Sequence, residues 1–225
     1  MTAAIIVAAG RGERMGANLD KAFLSLGPRP VVAYALMAFE SCTDVQDIVL
    51  VVRREQMAAA KGMAQMFGIS KLRRIVAGGA RRQDSVGNGL AALAPETRCV
   101  AIHDAARPLV TPELISATVR SALKHGSGVA AKRLVDTIKY VEKGTVVTRT
   151  MDRTKLWSVQ TPQTFKIELL RQAYAALAEK GETVTDDAAA VELLGEQVRL
   201  VEWELPNLKI TVAEDLTVAA AILRI

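Results

Sequence analysis

Short runs that are apolar at successive positions recur down the first half of this 225-residue chain, and longer stretches with helical spacing separate them. Ala4-Ile5-Ile6-Val7-Ala8, Ile48-Val49-Leu50-Val51-Val52 and Cys99-Val100-Ala101-Ile102 read as strands buried on both faces, with Arg74-Ile75-Val76 a shorter one. The helical partners run from Pro30 to Phe39, from Gln56 to Phe67 with Gly68 as its stop, and from Asp84 to Leu93. A fourth runs from the Thr111-Pro112-Glu113 cap to Lys124. A strand with no polar face has to be covered on both sides, and alternating helices supply that cover when the strands run parallel. The pattern predicts a Rossmann-like, doubly wound α/β fold with a mostly parallel sheet.

Near residue 130 the pattern changes. Val129-Ala130-Ala131 reads as one more core strand. Thr137 to Glu142 and Thr145 to Thr150 then alternate around Lys143-Gly144, which is a hairpin signal. A lone two-stranded ribbon is marginal in water, so residues 136–152 read as a protruding arm that packs on a partner subunit. Helices follow at Lys166 to Glu179 and Thr185 to Leu194, strands at Val198 to Glu202 and Lys209 to Val212, and a closing helix at Ala213 to Leu223. At about 150 residues per domain the length suggests one domain over 1–225, with the arm as its only excursion.

Composition removes several classes. Half of the residues are hydrophobic and 24% are charged, which is ordinary for a globular protein. The longest apolar run, Val31 to Phe39, is about half of the ~20 residues a spanning helix needs. Met1 to Val7 carries no positive n-region and enters a Gly-rich loop, so it reads as a first strand rather than a signal peptide. Cys42 and Cys99 form no CxxC pair or metal cluster and read as buried thiols, which places the chain in the cytoplasm. A net charge of +5 suggests an anionic partner. The basic residues are scattered and not interleaved with aromatics, so charge alone decides neither for nucleic acid nor for small phosphorylated ligands.

Several segments that can carry chemistry fall at strand ends. Gly10-Arg11-Gly12-Glu13-Arg14-Met15-Gly16, with Lys21 beyond, follows the first strand at the carboxyl edge, where such folds bind ligands. Its glycines allow backbone N–H groups close to phosphate oxygens, and Arg14 and Lys21 can add charge-assisted bonds. Met15 stands where a dinucleotide fingerprint wants Gly or Ala. Gly78-Gly79-Ala80-Arg81-Arg82 leads into a helix, a place for an anion or a base edge, unless Asp84 there merely caps the helix. His103-Asp104-Ala105-Ala106-Arg107-Pro108 crowds charge at a strand's end, which is costly without a ligand or an ion pair. Asp152-Arg153 leaves the arm, Trp157 and Thr161-Pro162-Gln163-Thr164-Phe165 follow, Thr185-Asp186-Asp187 reads as a helix cap with an acidic first turn, and Lys209 opens the last strand.

Taken together these segments resemble the 2-C-methyl-D-erythritol 4-phosphate cytidylyltransferase family of isoprenoid biosynthesis. The matching residues are Ala8-Ala9-Gly10, Gly12, Arg14-Met15, Lys21, Asp84-Ser85-Val86 and the His103-to-Pro108 block. Further on they are Asp136-Thr137-Ile138-Lys139, Asp152-Arg153, Thr161-Pro162-Gln163, Thr185-Asp186 and Asn207-Leu208-Lys209-Ile210-Thr211. The resemblance implies a nucleotidyltransferase-type fold and attack of the alditol's phosphate on the α-phosphorus of CTP, with Mg²⁺ held mainly by the triphosphate. It implies that Arg14 and Lys21 stabilise the transition state. Ala8, Ala9, Gly10, Gly12, Gly79 and Ser85 would bind the nucleotide, and Asp104 and Ala105 the sugar or alditol hydroxyls. Arg153 and Lys209 would grip the attacking phosphate near Thr185, while Arg107, Asp136 and Thr137 would come from a second subunit of a homodimer. The chain departs from the family pattern at Val7, Asp20, Ala22-Phe23, Ala80 and Ala213. An acid at Asp20 would compete with phosphate for Lys21.

Three other readings stay open on sequence: a ribitol- or other alditol-phosphate cytidylyltransferase, a nicotinamide-dependent oxidoreductase, and a nucleic-acid binder. The first differs only in the acceptor pocket, the second lacks its fingerprint at Met15, and the third requires steeply salt-dependent binding.

Overall fold

The computed structural model describes residues 1–10 and 20–225. Gly12, Arg14 and Met15, expected in the nucleotide loop, lie outside the described residues. The elements in chain order are β1 (Thr2–Ala8), β2 (Ser25–Leu26), β3 (Arg29–Pro30), α1 (Val31–Ser41), β4 (Asp47–Val52), α2 (Met57–Met66), β5 (Leu72–Ala77), α3 (Arg82–Ala91) and β6 (Cys99–Asp104). They continue with α4 (Pro112–His125), β7 (Ser127–Arg133), β8 (Lys139–Tyr140), β9 (Arg149–Thr150), β10 (Trp157–Lys166), α5 (Ile167–Lys180), α6 (Asp187–Glu192), β11 (Leu200–Glu202) and α7 (Glu214–Leu223).

Among the described residues the main sheet has seven strands in the order β11-β7-β10-β6-β1-β4-β5. β1 pairs in parallel with β4 and β6, β4 with β5, and β7 with β11; β10 alone runs antiparallel, between β6 and β7. The two-residue period of the strands divides the core between the two faces. Ala4 and Ile6 of β1, with Ile48 and Leu50 of β4, meet α1, α2 and α4. Ala3, Ile5, Val49 and Val51 meet α3, α5 and α6 on the other face. This is the doubly wound, mostly parallel α/β sheet that the alternation predicts.

The elements depart from expectation in four places. The longest strand, β10, has no counterpart in the sequence reading, because Gln, Thr and Pro162 mask its period. Its ladder with β7 shifts register between Val159 and Gln163, so Pro162 sits where pairing is already interrupted. Lys209 to Val212 is not a strand: Ile210 N–H donates to Ala106 O at 2.7 Å without a ladder. The arm pairs only Lys139 with Thr150 and Tyr140 with Arg149, with Gly144 at φ 66° in its turn. α3 begins at Arg82, so Asp84 is not the N-cap; its carboxylate reaches back to the Arg81 N–H at 3.0 Å.

Candidate active site

The parallel strands deliver Ala8, Ala77 and Asp104 to one edge of the sheet, and the segment after β11 returns to the same edge. A cavity of about 580 Å³ opens there. Ala8, Ala9, Gly10, Lys21, Gly79, Ser85, Asp104 and Lys209, all singled out in the sequence, line it.

One wall is built by close approach. A Cβ on Gly78 would lie 2.3 Å from Ala9 Cβ, and one on Gly79 would lie 2.4 Å from Asp84 Cβ, so the loop after β5 touches the end of β1 and the start of α3 only as glycine. Ser85 Oγ accepts the Gly79 N–H at 3.1 Å and sits 3.2 Å from Arg81 O, its donor bond, which fixes the hydroxyl facing the loop.

The lining also carries three cations, Lys21, Arg82 and Lys209. Lys21 opens a short 3₁₀ turn and donates through Nζ to Thr211 O at 2.5 Å, both residues lining the cavity. Lys209 Nζ donates to Asp104 Oδ2 at 2.6 Å and Arg82 Nε to Asp104 Oδ1 at 3.1 Å. Burial pushes the Asp104 carboxyl up, but Arg82 and Lys209 outweigh it and hold the group well below the usual carboxylate range. Asp20 also lines the cavity, but its Oδ2 is paired with Arg53 Nε at 3.2 Å, so its carboxylate is directed to another cation than the neighbouring Lys21. Burial raises its pKa.

Beneath Asp104 a chain of hydrogen bonds fixes the end of β6. The Asp104 N–H donates to Thr161 Oγ1 at 3.0 Å; that hydroxyl donates to His103 Nδ1 at 3.0 Å, and His103 Nε2 then carries the proton given to Arg107 O at 3.2 Å. Burial pushes His103 down to about 3, so the ring is neutral and structural.

Several expected residues are elsewhere. Ala105 is fully buried, donating its N–H to Val7 O at 3.0 Å, and Ala106 takes its place on the cavity wall. Arg107 does not line this cavity either; within its own chain its Nη1 donates to Asn207 O at 2.7 Å. Asp136, Thr137, Arg153 and Thr185 are exposed and do not line this cavity. Arg153 is tied to the base of the arm through the Val135 carbonyl. Asp186, not Thr185, caps α6, accepting the Ala189 N–H at 2.9 Å. Arg82 is visible in the sequence only as part of a basic pair; its place on the cavity wall depends on Asp187, far along the chain.

The model of the IspD family, 2-C-methyl-D-erythritol 4-phosphate cytidylyltransferase, matches residues 2–225. The chain belongs to that family. It is 44% identical over 223 residues to the 2-C-methyl-D-erythritol 4-phosphate cytidylyltransferase of Pelotomaculum thermopropionicum, covering 99% of this chain and 94% of the relative. Its fold is similar to that of the 4-diphosphocytidyl-2C-methyl-D-erythritol synthase of Anaerococcus prevotii, with a TM-score of 0.89 at 30% identity over 100% of this chain and 96% of the other. The 2-C-methyl-D-erythritol 4-phosphate cytidylyltransferase of Thermus thermophilus gives a TM-score of 0.83 at 33% identity, with 100% of both chains covered. Family membership makes the chain an enzyme, a cytidylyltransferase of the nucleotidyltransferase type, and bears out the resemblance read from the motifs. Nothing in these likenesses favours the other alditol-phosphate acceptors. No helix among the described residues is long and apolar enough to cross a membrane.

Proposed function

We propose that this chain transfers the cytidylyl group of CTP to 2-C-methyl-D-erythritol 4-phosphate in the carboxyl-edge cavity, releasing pyrophosphate. The cavity's lining carries the reading: close-packed glycines and the Ser85 hydroxyl, which leave room and backbone groups for a base, share it with the ammonium groups of Lys21 and Lys209, suited to phosphates. A phosphate oxygen of the acceptor attacks the α-phosphorus in line. The new P–O bond forms as the bond to the bridging oxygen breaks, and that electron pair leaves with pyrophosphate. Such a step needs positioning and charge neutralisation more than covalent help. Lys21, with Arg14, neutralises the triphosphate as the charge shifts, and Lys209 takes the acceptor's phosphate. Asp104 orients hydroxyls.

The cavity fits a magnesium ion that arrives on the triphosphate. Among the described residues no three His, Cys, Asp or Glu side chains group to hold an ion by themselves, yet Asp20 lines the cavity with a buried Oδ1 that has no hydrogen-bond partner. Asp20 would hold the ion together with phosphate oxygens, where it would supply positive charge against the pyrophosphate leaving group.

A homodimer is part of the reading, on one domain over 1–225 with the arm at 136–152 as its contact. The arm leaves the sheet between β7 and β10, at the edge that carries the cavity, and Val146 and Val147 on it are 77% and 51% exposed in the protomer. A second copy would cover them and bring Asp136 and Thr137 to the neighbouring site. Two unpaired, buried cysteines suit a reducing cytoplasm.

Pyrophosphate release tests the reaction, with purified protein, Mg²⁺, each nucleoside triphosphate, and methylerythritol 4-phosphate or ribitol 5-phosphate as acceptor. Release with CTP and methylerythritol 4-phosphate is expected. Release with ribitol 5-phosphate alone would overturn the acceptor, and release with no pair would overturn the activity.

A further inference from the structure

Asp104 is held by two cations of unlike character. Arg82 is fixed from behind: its Nη2 donates to Asp187 Oδ2 at 2.9 Å, and the Tyr174 hydroxyl donates to Asp187 Oδ1 at 2.6 Å. The Asp187 side chain is 0% exposed, and Gln163 Oε1 accepts both its backbone N–H at 3.0 Å and that of Ala188 at 2.9 Å. Burial would lower the pKa of Arg82, but Asp187 and Asp104 outweigh it, so the guanidinium stays charged. Lys209 is held far less firmly. Its side chain is 41% exposed, and among the described residues Asp104 is the one hydrogen-bond partner of its ammonium.

We propose that Arg82, anchored by Asp187 and Tyr174, is the standing counter-charge of Asp104, a positioning residue that lets Lys209 pass to the acceptor's phosphate. The proposal rests on the cytidylyl-transfer reading for the identity of that phosphate. A phosphate entering beside Lys209 competes with Asp104 for one ammonium. Were Lys209 the only cation on Asp104, giving it up would strand a charge largely withdrawn from water, and that cost would be subtracted from acceptor binding. With Arg82 in place the carboxylate keeps a charge-assisted bond throughout. The anchor has a second effect. A guanidinium fork is well matched to phosphate, and a loosely held Arg82 would follow the incoming ligand and leave Asp104 behind; Asp187 prevents this by occupying Nη2 from the far side.

Replacing Arg82 alone strands the buried Asp187 and is expected to destabilise the chain, so the informative variant is the neutral pair Arg82→Gln/Asp187→Asn, which keeps donors and acceptors in matched positions. Its thermal midpoint is expected to stay close to the parent's. Its KM for methylerythritol 4-phosphate should rise about tenfold or more while its KM for CTP changes by less than about threefold. Tyr174→Phe, which loosens the anchor by one bond and leaves every charge in place, should shift the same KM in the same direction by about twofold to threefold. Unchanged acceptor KM in both variants would reduce Arg82 to a structural tie, and an equal rise in both substrates' KM would detach it from Lys209. The parent enzyme run alongside keeps the two claims apart, since a parent that releases no pyrophosphate refutes the transfer reaction itself.

Discussion

His103 shows at the scale of one residue how burial decides a role. A histidine beside Asp104 invites a catalytic reading, yet burial pushes it down to about 3 and both ring nitrogens are committed to Thr161 and Arg107. The unfolded chain takes up a proton near pH 6.5 that the folded ring refuses until about 3, so the stability tied to this group is complete above 6.5 and is lost as pH falls between those values. From pH 7 to pH 5 that loss amounts to about 2 kcal/mol, and urea unfolding of His103→Gln should show a flatter slope over the same interval. An unchanged slope would mean that the ring is protonated in the fold. Lys21→Ala should lower kcat at least ~100-fold with the circular dichroism spectrum unchanged, because a charge contact of this kind contributes roughly 3 kcal/mol in a transition state. Near-normal turnover would take Lys21 out of the site. Gly79→Ala drives a Cβ to 2.4 Å from Asp84 Cβ, so it should destabilise by about 1–3 kcal/mol and weaken CTP binding, both measurable by denaturation and nucleotide titration.

At the scale of elements, legibility follows from which signals are local. β1, β4 and β6 are readable because strands buried on both faces leave an unbroken apolar run, and α4 because Thr111 accepts the Leu114 N–H and Gly126 ends it at φ 93°. β10 is not readable. Its buried residues include Thr161, Gln163 and Thr164, polar groups satisfied by distant partners such as His103, Asp186 and Thr118, and no local pattern announces them. Gln163 illustrates the consequence: through Oε1 it holds the first two N–H groups of α6, and with them Asp187. Arg82 is illegible as a site residue for the same reason, since its neighbours in sequence say nothing of Asp104 or Asp187. The segment around Lys209 misleads in the opposite sense: its apolar alternation is real, but Ile210 serves a small cluster with Leu26, Val31, Tyr34 and Ala219 rather than a sheet. The glycine loop, Ser85, Asp104, Lys21 and Lys209 are legible through their motifs, the first three because each lies within a few residues of a strand end or helix start.

At the scale of the whole molecule, the arm and the cavity share one edge, and the arm's exposed valines have no cover in the protomer. Val146→Asp/Val147→Asp should turn a dimer into a monomer in sedimentation experiments with little change in the unfolding midpoint, because neither side chain packs in the core. A parent that sediments as a monomer would contradict the arm's assignment. The central claim is that the edge cavity joins the acceptor's own phosphate to the α-phosphorus of CTP. Its most direct test uses methylerythritol 4-phosphate carrying heavy oxygen in its phosphate, with CTP and Mg²⁺, followed by phosphorus NMR. The label should appear in the diphosphate bridge of the cytidylyl product, with pyrophosphate unlabelled. Label in pyrophosphate, or no cytidylyl product from this acceptor, would contradict the account.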